Sequence, residues 1–146
     1  MIIEERGFFL FYNMAKRFGF GKKEKLKSRK QVEELFASGK SFPVFPLRII
    51  YRFLPAEQGS LQIGVSASKR NFRKAVDRNK LKRWMREAYR LQKQDLLAQV
   101  QQNKIQGYIF FMFTGKTPVA FPLIKESMRK SIEQLKKNAV IHETNP

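Results

Sequence analysis

The chain has 146 residues, enough for a single domain with one core, and 42% of them are hydrophobic, which excludes disorder overall. Lys and Arg number 30 against 12 Asp and Glu, a formal net charge of +18; such an excess repels itself in a compact chain and points to a nucleic acid or an anionic membrane as partner. The absence of cysteine excludes disulfides, a thiolate nucleophile and Cys-ligated zinc, and fits a reducing cytosol.

At the N-terminus, GFFLFY (Gly7–Tyr12) is far shorter than the roughly 20 apolar residues a membrane-spanning helix needs. Glu4 and Glu5 stand where a signal peptide would carry positive charge. Residues 1–25 read as a basic, flexible extension. Within it, Met1–Asn13 is either an extension specific to this chain or an over-long start, since Met14 opens the basic stretch MAKRFGFGKKEK.

The first clear element is LKSRKQVEELFASGKS. Ser28 followed by Gln31 forms a capping box, Val32, Leu35 and Phe36 share a face, and Gly39 is a stop, so a short helix spans about Arg29–Ser38. In FPVFPLRIIYRFLP, Pro43 and Pro46 forbid a helix, and Leu47–Leu54 reads as an antiparallel strand. The link AEQGS fits a hairpin into LQIGVSAS, where Leu61, Ile63 and Val65 alternate with Gln62, Gly64 and Ser66. A basic segment follows and continues as a helix to about Val100. QGYIFFMFTG, bounded by Gly107 and Gly115, has the pattern of a strand buried on both faces. Pro122 suits the first turn of a closing helix faced by Ile124, Met128, Ile132 and Leu135. Residues 139–146 read as a frayed tail. The order is helix, strand, strand, helix, strand, helix: one α+β domain over residues 26–138.

The basic segment KRNFRKAVDRNKLKRWMREAYR (Lys69–Arg90) carries two stripes when wound at about 100° per residue. Leu81, Trp84, Met85 and Ala88 form an apolar stripe that fastens the helix to a sheet. Arg78, Lys82, Arg86 and Arg90 follow at i+4, flanked by Asn79 and Arg83. Like charges in such a row repel, and Glu is nearly absent from it. Phosphates would supply the missing anions, met by the planar fork of Arg and the compact charge of Lys. Asn79 adds a donor and an acceptor at the helix start, where N–H groups favour anions. A solvated basic face is the plain alternative.

The segment resembles the RNR motif of the bacterial ribonuclease P protein component, through Lys69-Arg70, Ala75-Val76, Arg78-Asn79-Lys80, Leu81, Lys82-Arg83 and Arg86-Glu87. Lys80 stands where the motif has Arg, which keeps charge but not bidentate bonding. LKSRKQVEELFASGKS resembles that family's first helix, ending in Phe36-Ala37-Ser38-Gly39, and LQIGVSASKR resembles its strand into the motif, with Gly64, Ser66 and Ser68. The likeness covers about Leu26 to Lys137. Val32 departs from it, where an aromatic is frequent, which weakens any stacking role there.

The resemblance implies a fold like the second domain of a ribosomal small-subunit protein, with a left-handed βαβ crossover. It implies a partner RNA that cleaves precursor tRNA with Mg²⁺ to make the mature 5′ end. It implies that Lys69, Arg70, Arg73, Lys74, Arg78, Asn79, Lys80, Lys82, Arg83 and Arg86 bind that RNA. A cleft between the first helix and the sheet would hold the single-stranded 5′ leader, with Phe36, Arg48, Tyr51, Ser66 and Ser68 as candidates. One protein per RNA, in the cytoplasm and without a membrane partner, is the expected assembly.

The residues themselves offer no protein active site. The only histidine, His142, lies in the tail, so no Ser-His-Asp or Cys-His set can form in the core. Glu33 and Glu34 are adjacent on a helix and point apart, and Asp77 reads as local charge balance or an N-cap. Two rivals stand beside the ribonuclease P reading: a ribosomal or general RNA-binding protein without a processing role, and a membrane-surface protein anchored by GFFLFY and the basic stretches.

Overall fold

The computed structural model describes residues 24–144; the expectations for residues 1–23 lie outside them. Helix α1 (Arg29–Ser38) starts as its capping box requires, with Ser28 Oγ accepting from Gln31 N. Strands β1 (Lys40–Val44), β2 (Leu47–Pro55) and β3 (Ser60–Ala67) follow, then α2 (Ala75–Gln92), α3 (Gln94–Gln102), β4 (Ile105–Phe113) and α4 (Phe121–Thr144). One mixed sheet has the order β1-β2-β4-β3, with β4 antiparallel to β2 and parallel to β3.

Four features depart from the sequence pattern. First, β1 exists although it contains Pro43; it is an edge strand, where a missing N–H removes no ladder bond. Second, β2 and β3 form no hairpin, because β4 lies between them and uses all nine of its residues, Ile105–Phe113, on β2. The link between β2 and β3 is tied by Ala56 N donating to Lys104 O (2.9 Å). Its glycine serves close approach: a Cβ on Gly59 would lie 2.0 Å from Val100 O at the end of α3.

Third, the central helix breaks at Lys93 and resumes as α3. No Pro or Gly marks the break. Gln92 Nε2 donates to Ala88 O (3.0 Å) and to Lys125 O (3.1 Å), supporting carbonyls at a helix end. Lys93 itself is buried, with its ammonium 2.7 and 2.9 Å from the two carboxylate oxygens of Glu24. Fourth, β4 is not equally buried on both faces. Ile105, Gly107, Ile109, Phe111 and Phe113 are buried, while Gln106, Tyr108, Phe110 and Met112 are half-buried. The closing helix also runs on to Thr144, past Asn138.

Helices α2, α3 and α4 cover the face of β4 that carries Ile109 and Phe111. Leu81, Met85 and Ala88 are buried as the apolar stripe requires, and the Tyr89 ring meets Phe111 at 6.0 Å. Burial pushes the Tyr89 phenol far above its ordinary pKa, and the Glu24 carboxylate adds to the shift. Trp84 of the same stripe is only half-buried, at the edge of the core, with its ring on Phe121 of α4 (6.1 Å). Ile124, Met128, Ile132 and Leu135 of α4 are buried. On the outer edge of β3, Lys25 bridges Ile63 and Leu26 N donates to Ile63 O (2.9 Å).

Met85 is fully buried beneath the basic helix. Met85→Ala is expected to lower the unfolding free energy by about 2–5 kcal/mol, seen as a lower urea midpoint at unchanged slope. A midpoint equal to that of the parent protein would show that α2 is held by something other than this stripe.

Candidate nucleic-acid interface

Two surfaces suit a polyanion. The first is α2 with the loop that enters it. Phe72 pins this loop, buried against Phe113 at 5.6 Å between ring centroids. Phe72 N donates to Ser68 O (3.0 Å), and Ser68 Oγ accepts from Arg70 N (3.1 Å). Lys69, Arg70, Arg73 and Lys74 are thereby exposed on an anchored turn. On α2, Asn79, Lys80, Arg83 and Arg86 are exposed and Lys82 is half-buried. These five, with Val76, line an open depression of about 620 Å³.

Among the described residues, none of Lys69, Arg70, Arg73, Lys74, Lys80, Lys82, Arg83 and Arg86 lies within 4.0 Å of a carboxylate. Elsewhere on the fold some cations are paired, Arg129 with Glu126 (2.7 Å), Lys93 with Glu24 (2.7 Å) and Arg52 with Glu34 (3.7 Å), while others such as Lys27, Lys30, Lys104 and Lys125 are not; what sets the α2 surface apart is that eight unpaired cations share one helix and its entry loop. The Arg129 pair holds the Glu126 carboxyl below its ordinary pKa, chiefly through their hydrogen bond. The unpaired set on α2 therefore retains its full demand for anions.

Three residues of the basic stripe differ from expectation. Arg90 is buried and bonded to Glu87, so the outward row ends at Arg86. Arg78 is half-buried, and its Nη1 donates to Phe72 O (2.8 Å) and Arg73 O (2.9 Å), so it braces the entry loop while its remaining N–H groups stay available. Asn79 lies in the second turn, because the helix begins at Ala75, and it offers only its side chain. Asp77 sits in the first turn, where a carboxylate complements the helix dipole; the N-cap is Lys74. Lys80 Nζ lies 4.7 Å from the centre of the Trp84 ring.

The second surface lies between α1 and the other sheet face. Strand alternation and register put three rows across it: Arg48, Met112 and Ser66; then Ile50, Phe110 and Gly64; then Arg52, Tyr108 and Gln62. Helix α1 sits over the last two. The Phe36 ring, 46% exposed, meets Phe110 edge-on at 5.2 Å, and Gln31 Nε2 donates to Tyr108 OH (3.2 Å). Gly64 leaves room for the Phe110 ring, whose nearest carbon would lie 2.5 Å from a Cβ there. Arg48 is exposed, with one guanidinium nitrogen bonded to Ser41 Oγ (3.2 Å).

Phe36, Arg48 and Ser66 thus share this cleft. Ser68 lies past the end of β3, with its hydroxyl committed to Arg70 N. Tyr51 does not belong to the set. Its odd position on β2 puts it with Ile49 and Phe53 on the core face, where its ring tilts on Phe53 and its OH accepts from Asn138 Nδ2 (2.9 Å). Partial burial pushes its phenol up from the ordinary pKa. The residues that line the cleft in its place, Ile50, Tyr108, Phe110 and Met112, were detectable only as the even positions of two strands.

The Ribonuclease P family model matches residues 20–136. The chain belongs to the ribonuclease P protein family. It is 37% identical over 122 residues to the ribonuclease P protein component of Porphyromonas gingivalis (strain ATCC 33277), covering 83% of this chain and 89% of the relative. That of Chlorobium phaeobacteroides is 29% identical over 126 residues, covering 79% of this chain and 86% of the relative. The fold is similar to the ribonuclease P protein from Staphylococcus aureus (TM-score 0.58, 20% identity, 80% of this chain and 92% of that one). It is also similar to that from Thermotoga maritima (TM-score 0.56, 21% identity, 76% and 96%).

The two arginines should separate by assay. Arg86→Ala removes one exposed cation and is expected to weaken RNA binding, lower the salt slope by about 1 and leave the melting temperature unchanged. Arg78→Ala also removes the two loop bonds, so its melting temperature should fall. An unchanged melting temperature for Arg78→Ala would show that those bonds do not brace the loop.

Proposed function

We propose that this chain acts as the protein subunit of ribonuclease P, with the α2 surface bound to the catalytic RNA and the α1 cleft holding the 5′ leader of precursor tRNA. The observation that carries this reading is the pairing of two unlike surfaces on one sheet. One is a set of cations without carboxylate partners, suited to the backbone of a folded RNA. The other is a groove with aromatic rings at Phe36, Phe110 and Tyr108 and a guanidinium at Arg48, suited to a single strand whose bases are unstacked.

In this reading the RNA performs the endonucleolytic hydrolysis, using Mg²⁺ that it holds itself. Among the described residues no three His, Cys, Asp or Glu side chains gather as a metal-ligand group. The protein's contribution is binding. A leader held in the cleft adds affinity for precursor tRNA that mature tRNA, lacking the leader, does not receive. Cations on α2 offset phosphate repulsion as RNA and substrate approach, a need that grows as Mg²⁺ falls. The cytoplasm is the proposed site of action; among the described residues no helix is long and apolar enough to cross a membrane.

The test is cleavage of precursor tRNA by the catalytic RNA at limiting Mg²⁺, with and without the protein. Cleavage should be stimulated, and affinity should rise for precursor but not for mature tRNA. No stimulation would overturn the reading, and equal gains for both tRNAs would remove the leader-binding part.

A further inference from the structure

Phe45 is 70% exposed, yet its backbone is firmly held. It sits in the turn between β1 and β2. The buried hydroxyl of Ser127 on α4 donates to Phe45 O (2.7 Å). The next carbonyl, Pro46 O, accepts from both the N (2.8 Å) and Oγ1 (3.1 Å) of Thr114, and Pro46 itself is buried. A large apolar ring is thus presented to solvent from a mount with little freedom, which keeps low the entropy lost when it meets a partner.

The surroundings say what that partner is. Thr114 leads into Gly115, whose carbonyl accepts from Asn71 Nδ2 (3.5 Å), and Asn71 lies within the basic entry loop. Three segments, each a loop with the strand ends beside it, therefore meet at one end of the sheet: residues 44–48, 68–74 and 113–120. They carry Arg48, Lys69, Arg70, Arg73, Lys74 and Lys116, all exposed, and contain no Asp or Glu. An exposed aromatic among cations fits a nucleic-acid base joined to phosphates. The row Arg48, Met112 and Ser66 closes the cleft at this same end.

We infer that Phe45 stacks on an unpaired base of the 5′ leader where that strand leaves the cleft. The inference rests on the leader reading above and adds a contact outside the groove between α1 and the sheet. A base gains a platform there, and the flanking cations take its phosphates. Because stacking accepts any base, the contact reads leader length more than leader sequence.

The test uses the reconstituted holoenzyme, Phe45→Ala, Phe45→Tyr and Arg48→Ala, with precursors whose leaders are shortened stepwise or carry one abasic nucleotide. Phe45→Ala should weaken precursor binding by about tenfold, with mature tRNA affinity and melting temperature unchanged, and Phe45→Tyr should restore binding. One abasic position should weaken the parent protein equally and add nothing to Phe45→Ala. If Arg48→Ala loses sensitivity to leader length while Phe45→Ala binds precursor as the parent does, this inference falls and the leader reading stands. If the parent itself ignores leader length, both fall. Equal weakening toward precursor and mature tRNA would also overturn it, since the ring would then touch something other than the leader.

Discussion

A strand hydrogen-bonded on both sides can offer alternate residues only to opposite faces, and β4 is so held between β2 and β3. Ile105, Ile109, Phe111 and Phe113 therefore go to the helices, while Tyr108, Phe110 and Met112 go to the cleft. Neither set can move without the other, because a slip of one residue would exchange them. The ladder imposes the same parity on its neighbours. It puts Arg48 and Ser66 on the cleft side and Tyr51 on the core side. The core and the candidate leader site are two faces of one register.

The basic surface depends on the core in a different way. A helix with a row of like charges is not self-sufficient, since the charges repel and no Glu intervenes in the row. Burial of Leu81, Met85, Ala88 and Tyr89 offsets that repulsion, at roughly 1.5–3 kcal/mol for each large apolar side chain. The loop before the helix is held likewise, by Phe72 against Phe113 and by Arg78 on two carbonyls. The backbone that carries the cations is thus held before any RNA arrives, and part of the ordering cost of binding is met during folding.

Local signals carried much of this. The capping box of α1, the apolar stripe of α2 and the buried face of α4 stand where their spacing puts them. The residues of the RNR pattern named the family before any geometry did. What was hidden was mostly non-local. Nothing in AEQGS tells that β4, fifty residues on, will part β2 from β3. The break at Lys93 has no Pro or Gly to announce it and depends on partners from α4 and Glu24. Tyr51 reads as a cleft residue from sequence because an aromatic in a strand suits either face, and only the register assigns it to the core. Arg78 and Arg90 are cations like their neighbours in the sequence, and only the fold separates a brace and a buried ion pair from a free surface charge.

The ring of Trp84 lies between Phe121 and the ammonium of Lys80, at the margin of the basic depression, and it is the only indole in the chain. All tryptophan emission of the protein therefore comes from this one location, half in solvent and beside a charge that an RNA phosphate would compete for. The protein carries its own optical probe on the face in question, with no label to attach and no second fluorophore of that kind to subtract.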